Sequence, residues 1–209
     1  EITHNFLLLP NTKLDVAKIL RDAGKTKEEC DQTLGTTGIK TICHIGERRF
    51  SEFALSGLTK INEAHSNVFG NVDAIIVVSQ SYDHRIPSLS TRIQKHLSLE
   101  SETFCIDIMD GCSGYIKALK IASMLGNSTY RKVLIIAGDI NSSMTTNADL
   151  ATKILFGDGL SVSILEPGMD RLDTKLFNAG DTKNVISCDI RENVMQMNGF
   201  EVFRLVRTC

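Results

Sequence analysis

Cys112 is the residue best placed by its neighbours to do chemistry. It sits in Asp110-Gly-Cys-Ser-Gly114, after the apolar run Thr103 to Met109 and before the helix-period run Tyr115 to Leu125. At a strand-to-helix junction the first helical turn leaves backbone N–H groups without intrahelical acceptors, and the helix dipole presents its positive end. A thiolate is favoured in such a place, and thiolates attack acyl carbon. A free thiol is only about 3% ionised at neutral pH and a helix terminus adds ~0.3–1 kcal/mol, so full activation takes a charged partner such as a histidinium. The flanking glycines fit a tight site: Gly111 frees the backbone at the turn, and Gly114 lets the helix pass close to a neighbouring strand. On these residues alone the rival reading, a small buried thiol beside a packing glycine, stays open.

Other reactive residues point elsewhere. Cys43, Cys105 and Cys188 lie in apolar or alternating segments and are expected to pack. With Cys30 and Cys209 they form neither a CxxC pair nor a small-scaffold spacing, which fits thiols of a reducing cytoplasm. Asp107, Asp110 and Asp139 near strand ends lack metal-ligand spacing, so no metal is implied. Phe156-Gly-Asp-Gly159 has neither a P-loop lysine nor GxGxxG spacing and reads as a tight structural turn. His4, His44, His65, His84 and His96 read as surface or satisfied polar residues. Arg48-Arg49, Arg92 with Lys95, and Arg131-Lys132 are solvated charges by default, kept as docking candidates for an acidic partner.

The elements that must hold Cys112 alternate between helix and strand. Helices are predicted over Lys13 to Ala23, with Gly24 as a stop, and over Thr26 to Leu34, with Thr26 as N-cap. A third covers Ser51 to His65, and a break falls in Asn67 to Asn71. Asp73 to Val78 is an Ile- and Val-rich strand of the kind buried on both faces. Ser88 caps a helix to Leu97, Val133 to Gly138 is a third central strand, and Leu160 to Leu165 a fourth. The class is α/β, a mostly parallel central sheet covered by helices on both faces. No repeat or linker is visible.

At 209 residues the chain allows one large domain or two small ones. Its 42% apolar and 23% charged residues fit an ordinary globular core. No apolar run approaches the ~20 residues of a membrane-spanning helix. A net charge of −2 offers no broad footprint for nucleic acid. The opening EITHNFLLLP is a weak secretory signal, and its lack of an initiator methionine fits a processed or trimmed chain.

Several segments, in order, resemble the ketosynthase III group of the thiolase superfamily (3-oxoacyl-[acyl-carrier-protein] synthase III). TFCIDIMDGCSGYIKAL is similar to its nucleophile segment and ILFGDGLSVSIL to its Phe-Gly-Asp-Gly loop and strand; TTGI at Thr36, DAIIVVSQSYDHRIPS from Asp73, KVLIIAGD from Lys132 and MNGFEVF from Met197 also match. The resemblance implies a thiolase-like fold, represented over 1–209 by its N-terminal, nucleophile-bearing half. It implies acyl transfer through Cys112: the thiolate takes the acyl group from a thioester and condenses it with a malonyl thioester after loss of carbon dioxide. Related members deliver the acyl group to oxygen or nitrogen. The Cys112 N–H matches one oxyanion-hole donor. Phe156 matches a residue near the nucleophile, with Gly157 and Gly159 shaping the adjoining loop. Ile86 matches a loop residue that reaches into the partner's acyl pocket, which implies a homodimer.

The departures carry expectations too. Family members that clamp coenzyme A use a Trp and two Arg where this chain has Gln32, Thr36 and Leu150. Loss of those contacts favours the phosphopantetheine thioester of an acyl carrier protein over free acyl-coenzyme A as donor. No covalently bound cofactor is expected. The family's catalytic His and Asn belong to a second half beyond MNGFEVF, so the 209-residue chain alone is expected not to condense. It is expected to act as part of a longer protein or with a separate C-terminal half. The rival class is a noncatalytic thiolase-like subunit for dimerisation or carrier binding.

Overall fold

The computed structural model describes residues 1–126, 128–166, 174–177 and 185–207. In chain order the elements are β1 (Ile2–Leu8), β2 (Lys13–Asp15), α1 (Val16–Asp22), α2 (Lys27–Thr37), β3 (Thr41–Cys43), α3 (Phe50–Ala64), β4 (Ala74–Val78), α4 (Leu89–His96), β5 (Phe104–Ile108), α5 (Gly114–Gly126), β6 (Val133–Asp139), α6 (Leu150–Lys153), β7 (Gly159–Leu165), β8 (Ile186–Cys188), β9 (Met195–Met197) and α7 (Gly199–Val206). They fall into two compact units. One comprises Glu1–Leu9, Gly46–Asp139 and Gly159–Leu176, the other Pro10–Ile45, Ile140–Asp158 and Phe177–Cys209. The chain passes between them repeatedly within ordinary loops, which is why no linker composition marks the division.

The first unit is built on a five-stranded sheet of order β1-β7-β6-β4-β5. Strands β5, β4 and β6 are parallel, β7 is antiparallel to β6, and β1 is antiparallel to β7. Four strands therefore share one direction and β7 opposes them. Every residue of β4 is buried, and at ~1.5–3 kcal/mol for each fully buried Val or Ile this continuous run can only be a central strand. On one face Ala118 and Ala122 of α5 pack against Ala74, Ile76, Val78, Val133 and Ile135. The small alanines let the helix approach closely. Tyr115 on α5 also bonds the buried Ser163 hydroxyl of β7 (3.0 Å), which donates to Asn5 of β1 (3.2 Å). The opposite face carries Ile75, Val77, Leu134 and Ile136, all fully buried. There α4 is capped by Asp107, the register partner of Val77, and Gly57 of α3 lies against Leu8 of β1.

In the second unit, the predicted helix Lys13 to Ala23 is shorter than its pattern. Lys13–Asp15 pairs with β3 instead, because Leu14 lies opposite Ile42 and the Asp15 carboxylate accepts from Lys18 N–H at 2.8 Å as the N-cap of α1. Thr26 caps α2 as expected, with Glu29 completing a capping box. That helix continues to Thr37 and ends at the left-handed Gly38. Val16, Leu20, Cys30, Ile42 and Ile154 form this unit's core. β1 was not predicted from the opening segment; its exposed outer residues blur the apolar period, and its pairing partner β7 is distant in sequence.

Candidate active site

The loops that follow β4, β5 and β6 leave the sheet at the carboxyl ends of parallel strands, where open α/β sheets place their ligands. Cys112 lies in the loop after β5. It precedes Ser113, whose carbonyl accepts the Lys117 N–H at 3.1 Å and so opens the helical ladder of α5. The thiol is exposed rather than packed. Its backbone N–H makes no hydrogen bond among the described residues, whereas the Gly114 N–H is tied to the Gly111 carbonyl at 2.8 Å. Of the orphan amides expected at this junction, the one on Gly114 is therefore already used.

Asp110 shapes this turn. One carboxylate oxygen accepts the Gly111 N–H at 2.8 Å and the other pairs with Lys117 of α5. Gly114 is required by close approach, since a Cβ there would stand 2.4 Å from Val78 Cγ1. Gly111 does a different job from the one expected: it lies outside the left-handed region, and a Cβ would meet only the Gln80 side-chain oxygen at 3.1 Å.

The loop after β4 carries Ile86, whose side chain is 86% exposed. Asp139, at the end of β6, gathers the start of this loop. Its Oδ1 accepts from Ser79 Oγ (2.8 Å), Gln80 N–H (2.6 Å), Ser81 N–H (3.0 Å) and Ser81 Oγ (3.1 Å). Tyr82 sends its hydroxyl to the Val77 carbonyl at 3.0 Å, and burial, then the Asp107 charge, push this phenol's pKa up. At the loop's end Asp107 accepts from Leu89 N–H (2.7 Å) and Ser90 N–H (2.9 Å). Ser88 occupies the N-cap position of α4 as predicted, but its hydroxyl makes no cap bond; the carboxylate from β5 does that work.

In mid-loop, Asp83 accepts from Ser51 Oγ at 2.7 Å and Ser51 N–H at 3.3 Å. Burial pushes this carboxyl up, but the Ser51 bonds and the nearby His84 outweigh it and hold it below the ordinary value of 3.8. Because the folded value is depressed, the tie contributes stability above the unfolded pKa and loses it as pH falls through the folded one. Ser51→Ala is expected to move the Asp83 titration upward and to start acid loosening at higher pH, read by carboxyl-resolved NMR. An unshifted titration would contradict this account.

Gly159 opens β7 opposite Asp139; a Cβ there would stand 2.9 Å from Leu9 Cδ2. Cys112, Ile86 and Gly159 all belong to the first unit, and Phe156 and Gly157 to the second. Phe156 is half-buried. A Cβ on Gly157 would meet the Cys43 backbone N at 3.0 Å. The next residue, Asp158, is a buried hub that sequence reasoning missed. It accepts from Ile45 N–H (2.8 Å), Ser142 N–H (2.8 Å) and Ser142 Oγ (2.7 Å), with His44 Nδ1 at 3.4 Å. Its signal was a carboxylate inside an otherwise apolar and glycine-rich segment.

Several of the remaining candidates are engaged within the chain. Asp107, Asp110 and Asp139 each bond backbone or side-chain donors, and among the described residues no group of His, Cys and carboxylates could hold a metal. Arg48 reaches Ser56 Oγ (2.6 Å) over the Phe53 ring, Arg92 meets His84 (3.2 Å), and Arg131 is bound to carbonyls including that of Ser128 (3.1 Å). His96 bonds Thr59 (2.9 Å), while His4 and His65 flank Phe6. Cys188 corrects the packing expectation: it is exposed, because its three-residue strand turns only Ser187 inward. Cys30 is buried and Cys105 half-buried. Cys209 lies outside the described residues.

Residues 106–180 match the family model for 3-oxoacyl-[acyl-carrier-protein (ACP)] synthase III. The chain resembles part of a ketosynthase III. A beta-ketoacyl-[acyl-carrier-protein] synthase III of Coxiella burnetii is 35% identical over 66% of this chain and 46% of its own length. The one from Clostridium botulinum is 32% identical over 79% of this chain and 58% of its own length. The crystal structure of the synthase III from Aquifex aeolicus matches the whole chain with a TM-score of 0.84 and 26% identity, covering 68% of that structure. The chain thus spans about half the length of the curated relatives it matches, and its fold is thiolase-like. At the positions where the resemblance looked for the coenzyme A clamp, Gln32 and Thr36 are exposed one turn apart on α2, the Thr36 hydroxyl spent on the Gln32 carbonyl at 2.9 Å. Leu150 opens α6 and is half-buried.

Proposed function

We propose that this chain is the nucleophile-bearing, N-terminal half of a ketosynthase III-type acyltransferase of fatty-acid or related biosynthesis. The observation that carries the reading is an exposed thiol, Cys112, with an uncommitted backbone N–H, at the carboxyl edge of the parallel strands and directly ahead of α5. The Cys112 thiolate attacks the carbonyl of an acyl thioester; the C–S bond to the donor breaks, the donor leaves as a thiol, and an acyl-cysteine remains. Loss of carbon dioxide from a malonyl-carrier thioester supplies the carbanion that attacks this acyl carbon and releases Cys112 as the 3-oxoacyl thioester forms. The Cys112 N–H supplies one donor for the oxyanion of each step. Gly159, in the same unit as Cys112, borders the acyl site, and Ile86 reaches the acyl site of the second copy.

The catalytic His and Asn and the second oxyanion donor come from a C-terminal half, and two copies of the complete protein pair. With a glutamine, a threonine and a leucine in place of the clamp, the donor is an acyl carrier protein's phosphopantetheine thioester. Among the described residues no helix is long and apolar enough to cross a membrane; the protein acts in the cytoplasm.

Labelling with iodoacetamide near neutral pH tests the nucleophile. Cys112 is expected to react well ahead of Cys105, whose thiol is pushed up by burial and by Asp107, and of Cys188, pushed up by partial burial and by Asp189. Modification of Cys112 no faster than of those thiols, read by peptide mass spectrometry, would favour the noncatalytic subunit.

A further inference from the structure

We propose that Tyr115 is a positioning residue for acyl transfer: its hydroxyl, bound to the buried Ser163, fixes the rotation and axial position of the first turn of α5, and with them the place of Cys112. The proposal rests on the reading that Cys112 is acylated. Every residue it uses belongs to the first unit.

The starting observation is Ser163. It lies in mid-strand on β7 between Val162 and Ile164 and is completely buried, where a hydroxyl needs partners. Its proton goes to the side-chain oxygen of Asn5, its register partner on β1, at 3.2 Å. The proton in the 3.0 Å bond to Tyr115 is therefore the tyrosine's. A polar chain thus runs from α5 across β7 to β1.

Tyr115 follows Gly114 directly and stands three residues after Cys112. Farther along α5, Ala118 and Ala122 pack against Ala74, Ile76, Val78, Val133 and Ile135. Contact between small apolar groups is non-directional and changes little when a helix slides or turns by a fraction of a residue. A hydrogen bond weakens steeply with distance and angle, so it selects one placement. The first turn is seated at two separated points: Gly114 lies against Val78 of β4, and the Tyr115 hydroxyl rests on β7, with β6 between those strands. Removal of the second point frees the turn to pivot about the first. Misplacement of a reacting atom by ~1 Å costs about a hundredfold in rate, so even a partial pivot slows acyl transfer.

The test uses the full-length protein with acetyl, butyryl and hexanoyl phosphopantetheine thioesters. Single-turnover acylation of Cys112 is followed by mass spectrometry across donor concentrations. Tyr115→Phe keeps the ring and removes the bond; saturating acylation is expected to fall about tenfold with each donor, at a half-saturating concentration within about twofold of wild type. Ser163→Ala is expected to behave alike. The double variant, Tyr115→Phe with Ser163→Ala, separates placement from stability, because both partners become apolar and the exposed Asn5 is served by water. Its thermal midpoint is expected to return to within about 2 °C of wild type while acylation stays about tenfold slow. Should a single variant fail to fold, the double variant decides alone. Recovery of acylation together with stability, or a double variant that melts as low as the singles, would overturn the proposal and leave the acyltransferase reading intact. A wild type that none of the donors acylates would overturn that reading itself.

Discussion

Replacing Cys112 with alanine in the full-length protein is expected to abolish the acyl-enzyme and to lower condensation by about 10⁴-fold or more, the scale seen when a covalent nucleophile is deleted. Cys112 is exposed at the turn between β5 and α5, the Asp110 carboxylate fixes that turn through Gly111 and Lys117, and the Cys112 amide is free to face an oxyanion. Among the described residues no other thiol combines these features: Cys30 is buried, and Cys105 sits within β5 with its thiol pushed up by burial and by Asp107. The fold need not suffer, because an exposed side chain contributes little packing. Circular dichroism and thermal melts of Cys112→Ala are therefore expected to match wild type. Retention of more than about a hundredth of wild-type condensation by a well-folded variant would be incompatible with covalent catalysis at this residue.

Gly138→Ala is expected to be the most damaging single methyl group in the first unit. A Cβ on Gly138 would stand 2.3 Å from the Gly159 carbonyl oxygen, 2.5 Å from Leu160 Cα and 2.6 Å from Leu160 Cβ. Two of these atoms are backbone, in a strand paired on one side with β6 and on the other with β1. Overpacking costs ~1–3 kcal/mol where side chains can yield; here the ladder itself must open, so a loss of about 3 kcal/mol or more is expected in denaturant unfolding. Gly111→Ala is the control. Its Cβ meets only the mobile end of Gln80 at 3.1 Å, and a loss under about 1 kcal/mol is expected. Equal effects of the two substitutions would show that the β6–β7 contact is looser than described. Gly138 also precedes Asp139, so a fold that survives the alanine is expected to show a disturbed 79–81 turn as well.

The difference between these two glycines measures what a sequence conveys. Gly114 was legible as a mechanical residue because it follows a cysteine at a strand-to-helix turn, and it does lie against Val78; Gly111, read the same way, lies outside the left-handed region and faces only the Gln80 side chain. Gly138 carried no such signal. It ends the apolar run KVLIIAG, and nothing local announces that β7 passes over its Cα.

The central strands and the nucleophile's turn followed from local chemistry. Runs such as AIIVV can satisfy their burial only in the middle of a sheet, helix periods and caps such as Thr26 act within a few residues, and ordered motifs carried the family resemblance. Tertiary structure alone decided how the site is held. The opening strand β1 needs β7, more than 150 residues away, to become a strand. Helix α4 takes its cap from Asp107 although Ser88 stands in the cap position, and the carboxylates Asp107 and Asp139, which suggested metal ligation at most, prove to be ties for the loop that carries Ile86. A carboxylate's partners are chosen by which donors the folded chain brings within about 3 Å, and that proximity is created only when strands distant in sequence are set side by side.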